Sequence, residues 1–170
     1  ANFSAGVMLL LFRPFNVGDI VDAAGQVGGV RSIGIFSTVM LTPDGIVITI
    51  PNGAIFGSTI KNLTSEEKRR VDVGIGISYD SDISEAREAL EAAMKTVPGV
   101  LADPAPSAFL ASLGGSSIDF QMRAWAAPAD YWDVYQGIMQ KGKEALDAAG
   151  INIPFPNMEV HMLSMPDKKD

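Results

Sequence analysis

Residues 3–21 read FSAGVMLLLFRPFNVGDIV, an apolar run that stops at an arginine and a proline and gives way to a strand-like segment containing glycine. Pro14 lacks an amide donor and disfavours helical geometry at the residue before it, so a helix should end at about Arg13. The run is much shorter than the roughly 20 apolar residues that a helix needs to cross a bilayer. Two interpretations stay open: the inner end of a longer membrane helix, or an ordinary apolar core helix.

On the membrane interpretation, the positive charge at the end of the run gives the orientation. A cation directly after a membrane helix marks its cytoplasmic side. Arg13, Pro14 and Phe15 would then lie at the membrane interface. We expect any further membrane helices to lie upstream of Ala1.

Composition excludes several classes of function. The chain has 170 residues, 47% of them hydrophobic, which is enough for one or two packed domains. Its net charge of −7 disfavours nucleic acid, and the one basic cluster, Lys68-Arg69-Arg70, directly follows Glu66-Glu67 and is typical of a solvated connector. The absence of cysteine excludes disulfides, thiolate metal sites and thiol catalysis.

Residues 16–64 have a pattern of strands and turns. Thr38–Thr42 and Ile46–Ile50 flank Pro43-Asp44-Gly45, which predicts a β-hairpin. Pro51-Asn52-Gly53 should end it, and Ser58–Leu63 should form a last strand. Glycines 25, 28 and 29 would allow bends or bulges, so we expect a small, bent β-barrel of about five strands.

After a polar linker at Thr64–Arg70, the periodicity changes. Val71–Tyr79 alternates as a strand with Val71, Val73, Ile75 and Ile77 on one face, and a helix should begin at Asp82, with Glu85 at capping-box spacing, and end at Pro98-Gly99. Two strands, Ser107–Leu113 and Ser117–Ala127, should pair across Gly114-Gly115-Ser116.

A second helix should run from Ala129 to Ala149. Its predicted buried residues are Trp132, Tyr135, Ile138, Met139, Leu146 and Ala149. The order β-α-β-β-α, followed by an extended segment from Ile151, is the split arrangement of ferredoxin-like domains.

The tail combines an enforced extended course with one unpaired strand. Pro154-Phe155-Pro156 cannot be helical, and Asn157–Leu163 should form a short strand with almost no chain left to pair with it. A lone strand needs a partner, and further copies of the chain in a symmetric oligomer would supply one.

No catalytic, metal or cofactor site emerges from the pattern. His161 is the single histidine, and Asp80-Ser81-Asp82 suits helix capping better than a calcium loop because Glu85 stands where that loop needs glycine. Gly74-Ile75-Gly76 lies inside a strand and lacks the third glycine of a dinucleotide fingerprint. We therefore expect no enzyme and no cofactor.

Several stretches together resemble the MscS-like family of small-conductance mechanosensitive channels from bacterial inner membranes. They run in the family's order over nearly the whole chain. The matching stretches are Ala1–Phe15 with Gly18-Asp19, Ile35–Thr38, Ile50–Gly53, Tyr79–Ile83, and Ala148–Ile151 with Pro154-Phe155-Pro156.

The resemblance implies an α+β chain in four parts that assembles as a homoheptamer. Residues 1–13 would be the cytoplasmic end of the pore-lining helix and residues 14–66 an Sm-like β-domain. Residues 67–153 would be a ferredoxin-like α/β domain forming a vestibule. Residues 154–170 would supply one strand of an intersubunit β-barrel and the tail.

The same resemblance assigns residues to roles. Leu9 and Leu10 would constrict the pore, Ala5 and Gly6 would pack neighbouring helices, and Asn2 would meet the turn at Asn52 and Gly53 in a non-conducting state. The assembly strand would be Met158, Glu159, Val160, His161, Met162 and Leu163.

The implied function is tension-gated release of ions and small osmolytes on hypo-osmotic shock. The chain would lie mostly on the cytoplasmic side of the bacterial inner membrane and contact lipid through its first helix, with copies of itself as partners and no nucleic acid. The alternative is a soluble, oligomeric two-domain module that binds a peptide or nucleic acid.

Overall fold

The computed structural model describes residues 1–163, which form an α+β chain divided into two compact units. One unit comprises residues 1–69 with residues 126–131, and the other comprises residues 70–125 with residues 132–163. The last seven residues of the predicted tail segment lie outside the described residues.

The first unit begins with helix α1 (Asn2–Phe12), which ends where the Arg13-Pro14 pair predicts. Arg13 adopts a left-handed conformation with φ of 48°, and its amide donates to the carbonyl of Leu9 at 3.0 Å. Among residues 1–163, no helix combines the length and the apolar character needed to span a bilayer.

Five antiparallel strands follow in one sheet of order β4-β3-β2-β1-β5. They are β1 (Ile20–Ala23), β2 (Gln26–Ile33), β3 (Ser37–Leu41), β4 (Val47–Pro51) and β5 (Ile60–Asn62). The predicted hairpin is confirmed, with Thr38 opposite Ile50 and a turn in which Gly45 has φ of 87°. A bulge in β2 lies between Val30 and Ser32, just past the glycines expected to allow it.

The end of the hairpin differs from the prediction. Instead of a simple turn, residues 52–56 form a short helix, α2 (Asn52–Phe56), which continues to a bend at Ser58. Because the Ser58 amide and hydroxyl both donate to the carbonyl of Ile55, the last strand starts only at Ile60 rather than at Ser58.

The first helix shares a core with the sheet. The buried cluster contains two residues from the apolar opening of the chain together with strand residues and one residue of α2. Its members are Leu9, Phe15, Val21, Ala23, Val30, Met40, Ile50 and Ile55. Helix α1 is thus packed on the β-domain by its own side chains.

The second unit has the predicted order β-α-β-β-α. Its elements are β6 (Arg69–Ile77), α3 (Ile83–Lys95), β7 (Ser107–Leu113), β8 (Ile118–Ala126) and α4 (Tyr131–Ala148). A 3₁₀ turn (Pro128–Asp130), which groups with the first unit, connects β8 to α4. The sheet order is β6-β8-β7, as in a split β-α-β arrangement. The segment after α4 continues along the sheet, since the Ser78 amide donates to the carbonyl of Asn152 at 2.8 Å.

Local signals for α3 are mostly confirmed. The Asp82 carboxylate accepts from the Glu85 amide at 2.8 Å and caps the helix. The helix ends at Lys95, before the predicted Pro98-Gly99, because the last turn closes through Thr96. No group of three acidic or histidine side chains within residues 1–163 is placed to hold a metal ion.

The predicted buried stripe of α4 is partly wrong. Ile138 and Leu146 are buried, but Trp132 is 67% exposed and Met139 is 43% exposed. The buried face instead follows positions four apart, Val134, Ile138, Gly142 and Leu146. Gly142 carries no apolar side chain that a pattern could register, yet a Cβ there would stand 3.0 Å from the Met122 side chain.

The terminal segment runs without regular secondary structure within the single chain. Residues 151–162 are assigned to no strand, and Met158, Val160, Met162 and Leu163 are exposed. The Asn157 amide donates to the hydroxyl of Ser116 at 3.0 Å. Since a strand is defined by pairing, its formation from this segment stays a prediction about an oligomer.

Candidate functional site

The surface on which α1 docks is built around a buried polar pair. Within residues 1–163, Thr38 and Asn52 are the polar residues that are fully buried. The Thr38 hydroxyl donates to Asn52 Oδ1 at 2.9 Å. Asn52 Nδ2 donates to the carbonyls of Gly34 at 2.9 Å and Ile35 at 3.1 Å, and the Asn52 amide donates to the carbonyl of Phe36 at 2.9 Å.

Asn52 therefore binds three successive carbonyls of the connection between β2 and β3, which we name the β2–β3 loop (residues 34–36). The two Nδ2 hydrogens and the backbone amide are all used as donors, and Oδ1 is used as an acceptor. Buried amides left without such partners would be costly. This arrangement fixes the direction in which each loop carbonyl points.

Helix α1 lies against this loop and the start of α2. A Cβ added at Gly6 would stand 2.2 Å from the carbonyl oxygen of Ile35 and 2.6 Å from Asn52 Nδ2. The Phe3 ring lies 6.3 Å from the Phe36 ring, centroid to centroid. We call the β2–β3 loop together with Asn52 and Gly53 the docking surface.

A hydrogen bond completes the contact. The Gly53 amide donates to Asn2 Oδ1 at 3.0 Å. This amide is one of the first N–H groups of α2, which have no acceptor within a helix, so an external side-chain oxygen satisfies it. The structure thus brings together Asn2, Asn52 and Gly53, three residues singled out from the sequence.

The small residues of α1 have a different use from the predicted one. Ala5 and Gly6 are both buried within the single chain. Gly6 contacts backbone and side-chain atoms of its own docking surface. In this conformation they are therefore not available to pack against a neighbouring helix.

Leu9 does not fit the predicted pore constriction. Its side chain is fully buried in the core of the β-domain, so it has no surface to offer a pore. Leu10 is 47% exposed and belongs to the outer face of the helix. The apolar run alone gave no means of telling these two neighbours apart.

The three residues of the predicted membrane interface also differ in burial, since one is in the core and two are exposed. Phe15 is a core residue with 1% of its surface exposed, so it anchors the chain to the β-domain rather than contacting headgroups. Arg13 and Pro14 are exposed. Asn62 Nδ2 donates to the carbonyl of Pro14 at 3.3 Å and to the Asp19 carboxylate at 2.8 Å, which ties the helix end to strand β5.

Thr38 and the β2–β3 loop were missed as site residues. The signal was present but weak: Thr38 occupies an inward position of β3, two residues before the buried Met40, where an apolar side chain is the norm. A threonine there requires an internal partner, and Asn52 is that partner.

Comparison with known proteins gives the family. Residues 1–65 match the family described as "Mechanosensitive ion channel, beta-domain", and residues 71–153 match "Mechanosensitive ion channel MscS, C-terminal". The small-conductance mechanosensitive channel of Edwardsiella ictaluri is 43% identical over 162 residues, which are 95% of this chain and 57% of that protein. The chain thus spans little more than half the length of this relative.

Solved structures agree with the sequence matches. The closed-state crystal structure of Helicobacter pylori MscS superposes with a TM-score of 0.88 at 28% identity, over 96% of this chain and 65% of that one. Arabidopsis thaliana MSL1 superposes with a TM-score of 0.77 at 18% identity, over 91% and 58% of the two chains, and so shares the fold.

The helix docked on a β-domain, followed by a split β-α-β unit, matches the β-domain and C-terminal domain of mechanosensitive ion channels. The chain belongs to the MscS family of mechanosensitive channels. This is a family of ion channels and not a family of enzymes.

Proposed function

We propose that the chain supplies the end of the pore-lining helix and the cytoplasmic vestibule of a tension-gated channel, which releases ions and small osmolytes on hypo-osmotic shock. The observation that carries the proposal is the docking of α1 on the β-domain through the Asn2–Gly53 hydrogen bond and the burial of Leu9. The matches to both channel domains support it. No catalytic step is part of it.

The docked helix corresponds to a non-conducting state. Membrane tension favours the state with the larger in-plane area, and apolar constrictions keep a narrow pore free of water until it widens. A helix whose Leu9 and Gly6 are seated in the β-domain cannot follow a radial movement of the pore wall without leaving that seat. Leu10, on the exposed face, remains the candidate for a constriction.

The oligomer follows from the tail and from the family. Residues 158–163 expose apolar side chains with no strand partner in the single chain, and pairing with copies of the same segment would bury them. We propose seven copies, which the family resemblance supplies. The net charge of −7 per chain would favour cations around the vestibule of such an assembly in the inner membrane.

Patch-clamp recording from membranes of a bacterial strain that lacks its own tension-gated channels tests the proposal. Expression of the intact protein should produce currents that appear with suction and should raise survival of osmotic down-shock. Verified membrane expression without any tension-dependent current would contradict it.

Native mass measurement distinguishes the alternative of a soluble two-domain binding module. A ring of several copies supports the channel. A monomer or dimer at micromolar concentration would favour the binding module, whose ligand would be a peptide or nucleic acid.

A further inference from the structure

We infer that Asn52 and Thr38 are positioning residues that hold the β2–β3 loop as the seat for α1 and thereby set the balance between docked and free helix. The inference rests on the proposed function, because docking matters for gating only in a channel. The effect of Asn52 and Thr38 on the docking of α1 can be measured without recording any channel current.

Helix α1 contacts Asn52 and the β2–β3 loop directly. Gly6 lies so close to the loop that an added Cβ would overlap the Ile35 carbonyl and Asn52 Nδ2, and Phe3 lies beside Phe36. Every one of these contact points is either Asn52 itself or a loop residue whose carbonyl Asn52 binds. The seat of α1 therefore has the shape that Asn52 imposes on it.

Few bonds other than those from Asn52 hold the conformation of the β2–β3 loop. Gly34 and the two residues after it are largely exposed and lie outside both flanking strands, so sheet pairing does not hold them. Besides the Asn52 bonds, one further backbone bond closes the loop, from the Gly34 amide to the Ser37 carbonyl. Without the Asn52 side chain, the carbonyls of Gly34 and Ile35 would be free to turn toward water.

The fit between α1 and the β2–β3 loop is tight at Gly6. A hydrogen is the largest group that position 6 can carry under the Ile35 carbonyl, since a Cβ would approach it to 2.2 Å. A seat with so little clearance tolerates only small displacements of the loop. Rotation of the Ile35 peptide would displace its carbonyl oxygen and change the docking geometry, even though the core below stays packed.

The Thr38 hydroxyl affects the docking of α1 indirectly, through Asn52. By donating to Asn52 Oδ1, it holds the amide plane with Nδ2 turned toward the loop. Thr38→Val keeps the shape of the side chain and removes this one donor. Because this bond lies within the β-domain whether or not α1 is docked, its loss acts on docking only through the orientation of Asn52. The ratio of docked to free helix should fall by less than the roughly fivefold that one whole hydrogen bond is worth.

The test is a distance measurement by pulsed electron paramagnetic resonance in the full-length channel. Spin labels go on two exposed positions, through Ser4→Cys on α1 and Thr49→Cys on β4, and labelled subunits are diluted with unlabelled ones so that only distances within a subunit are read. The 170 residues contain no cysteine that would interfere.

We expect one docked distance in the parent protein. Asn52→Asp, which keeps the shape but removes both Nδ2 donors, should lose most of that population. Thr38→Val should reduce it, and Gly6→Ala should abolish it from the helix side. If Asn52→Asp does not fold, Thr38→Val still decides the question, and Gly6→Ala gives the distance of the undocked helix for comparison.

Thr42→Val is the matched control. This threonine follows the same strand, β3, and its hydroxyl bonds with Ile46 in the hairpin turn rather than with Asn52. The control should keep the docked distance. An unchanged distance in folded Thr38→Val and Asn52→Asp proteins would overturn the inference, whereas shifted distances without any tension-dependent current would leave it standing and contradict the proposed function.

Discussion

Asn2 and Gly53, 51 positions apart in the chain, are joined by a hydrogen bond of 3.0 Å from the Gly53 amide to Asn2 Oδ1. The bond links the first turn of α1 to the first turn of α2. It lies at the exposed rim of a contact whose interior is made by Gly6, Leu9 and the Asn52 network. A rim bond can break without unfolding the core, which is the property that a reversible docking contact needs.

Asn2→Ala removes the acceptor and should shorten the time that the channel spends inactivated under sustained tension. Asn2→Asp keeps an acceptor oxygen in the same place and is the matched control, so it should retain most of the inactivation. Patch-clamp recording of recovery after a tension step measures both. Equal recovery for Asn2→Ala and the parent protein would count against a role for this bond.

Gly53→Ala should act on the same contact from the other side. An added Cβ would lie 2.8 Å from Asn2 Oδ1, so the side chain of Asn2 would have to move away. Gly45→Ala is not a suitable control because Gly45 has a positive φ, whereas Gly29→Ala adds a Cβ with no atom within 4 Å. We expect faster recovery from inactivation for Gly53→Ala and little change for Gly29→Ala.

Leu9→Ala should lower the free energy of unfolding of the β-domain by about 2–5 kcal/mol, because it leaves a cavity in a packed core. Leu10→Ala, at the half-exposed neighbouring position, is the control and should cost far less. Urea unfolding followed by far-ultraviolet circular dichroism measures the difference, because residues 1–69 contain no tryptophan or tyrosine. Equal costs at the two positions would show that Leu9 is not the core residue described here.

Val160→Pro should weaken assembly. Proline has no amide donor, so it would interrupt an intersubunit ladder formed by residues 158–163, whereas Val160→Thr keeps a β-branched residue and should assemble normally. Native mass spectrometry of the purified protein reports the number of copies. Full assembly of the proline variant and of a chain lacking residues 157–163 would argue against a structural role for this segment.

Helix α4 should show a weak dependence of stability on acid. Hydrogen bonds from Lys141 and Gln140 lower the pKa of Glu144 below its usual 4.5. A lowered pKa in the folded state contributes stability above pH 4.5 that is lost as the pH falls through the folded value. Glu144→Gln should therefore lower Tm slightly at pH 7 and not at pH 3, with high salt reducing the difference. The same small Tm difference at both values would contradict the assignment.

The fold was predictable where local chemistry decides structure. Arg13-Pro14 ended a helix, Pro43-Asp44-Gly45 made a hairpin, and Asp82 capped α3, because each depends on neighbours a few residues away. The docking surface was only partly predictable. Asn2, Asn52 and Gly53 came from the family resemblance, whereas Thr38 and the β2–β3 loop acquire their roles from contacts across the fold.

The failures share a physical cause. An apolar stretch gives no information about which of two adjacent leucines faces a core, so Leu9 and Leu10 could not be separated before the packing of α1 was known. Gly6 and Gly142 are buried contact positions without a side chain, and hydrophobic patterns do not register them. Their importance lies in the atoms that approach them.

Disulfide trapping of the docked helix tests the central claim most directly. In an Asn2→Cys, Gly53→Cys double variant of the intact channel, oxidation should join α1 to the β-domain, since the two side-chain positions are in contact. We predict that tension evokes no current from the oxidised channel and that a reductant restores it. Full tension-evoked current from a channel in which the disulfide has formed would contradict the account.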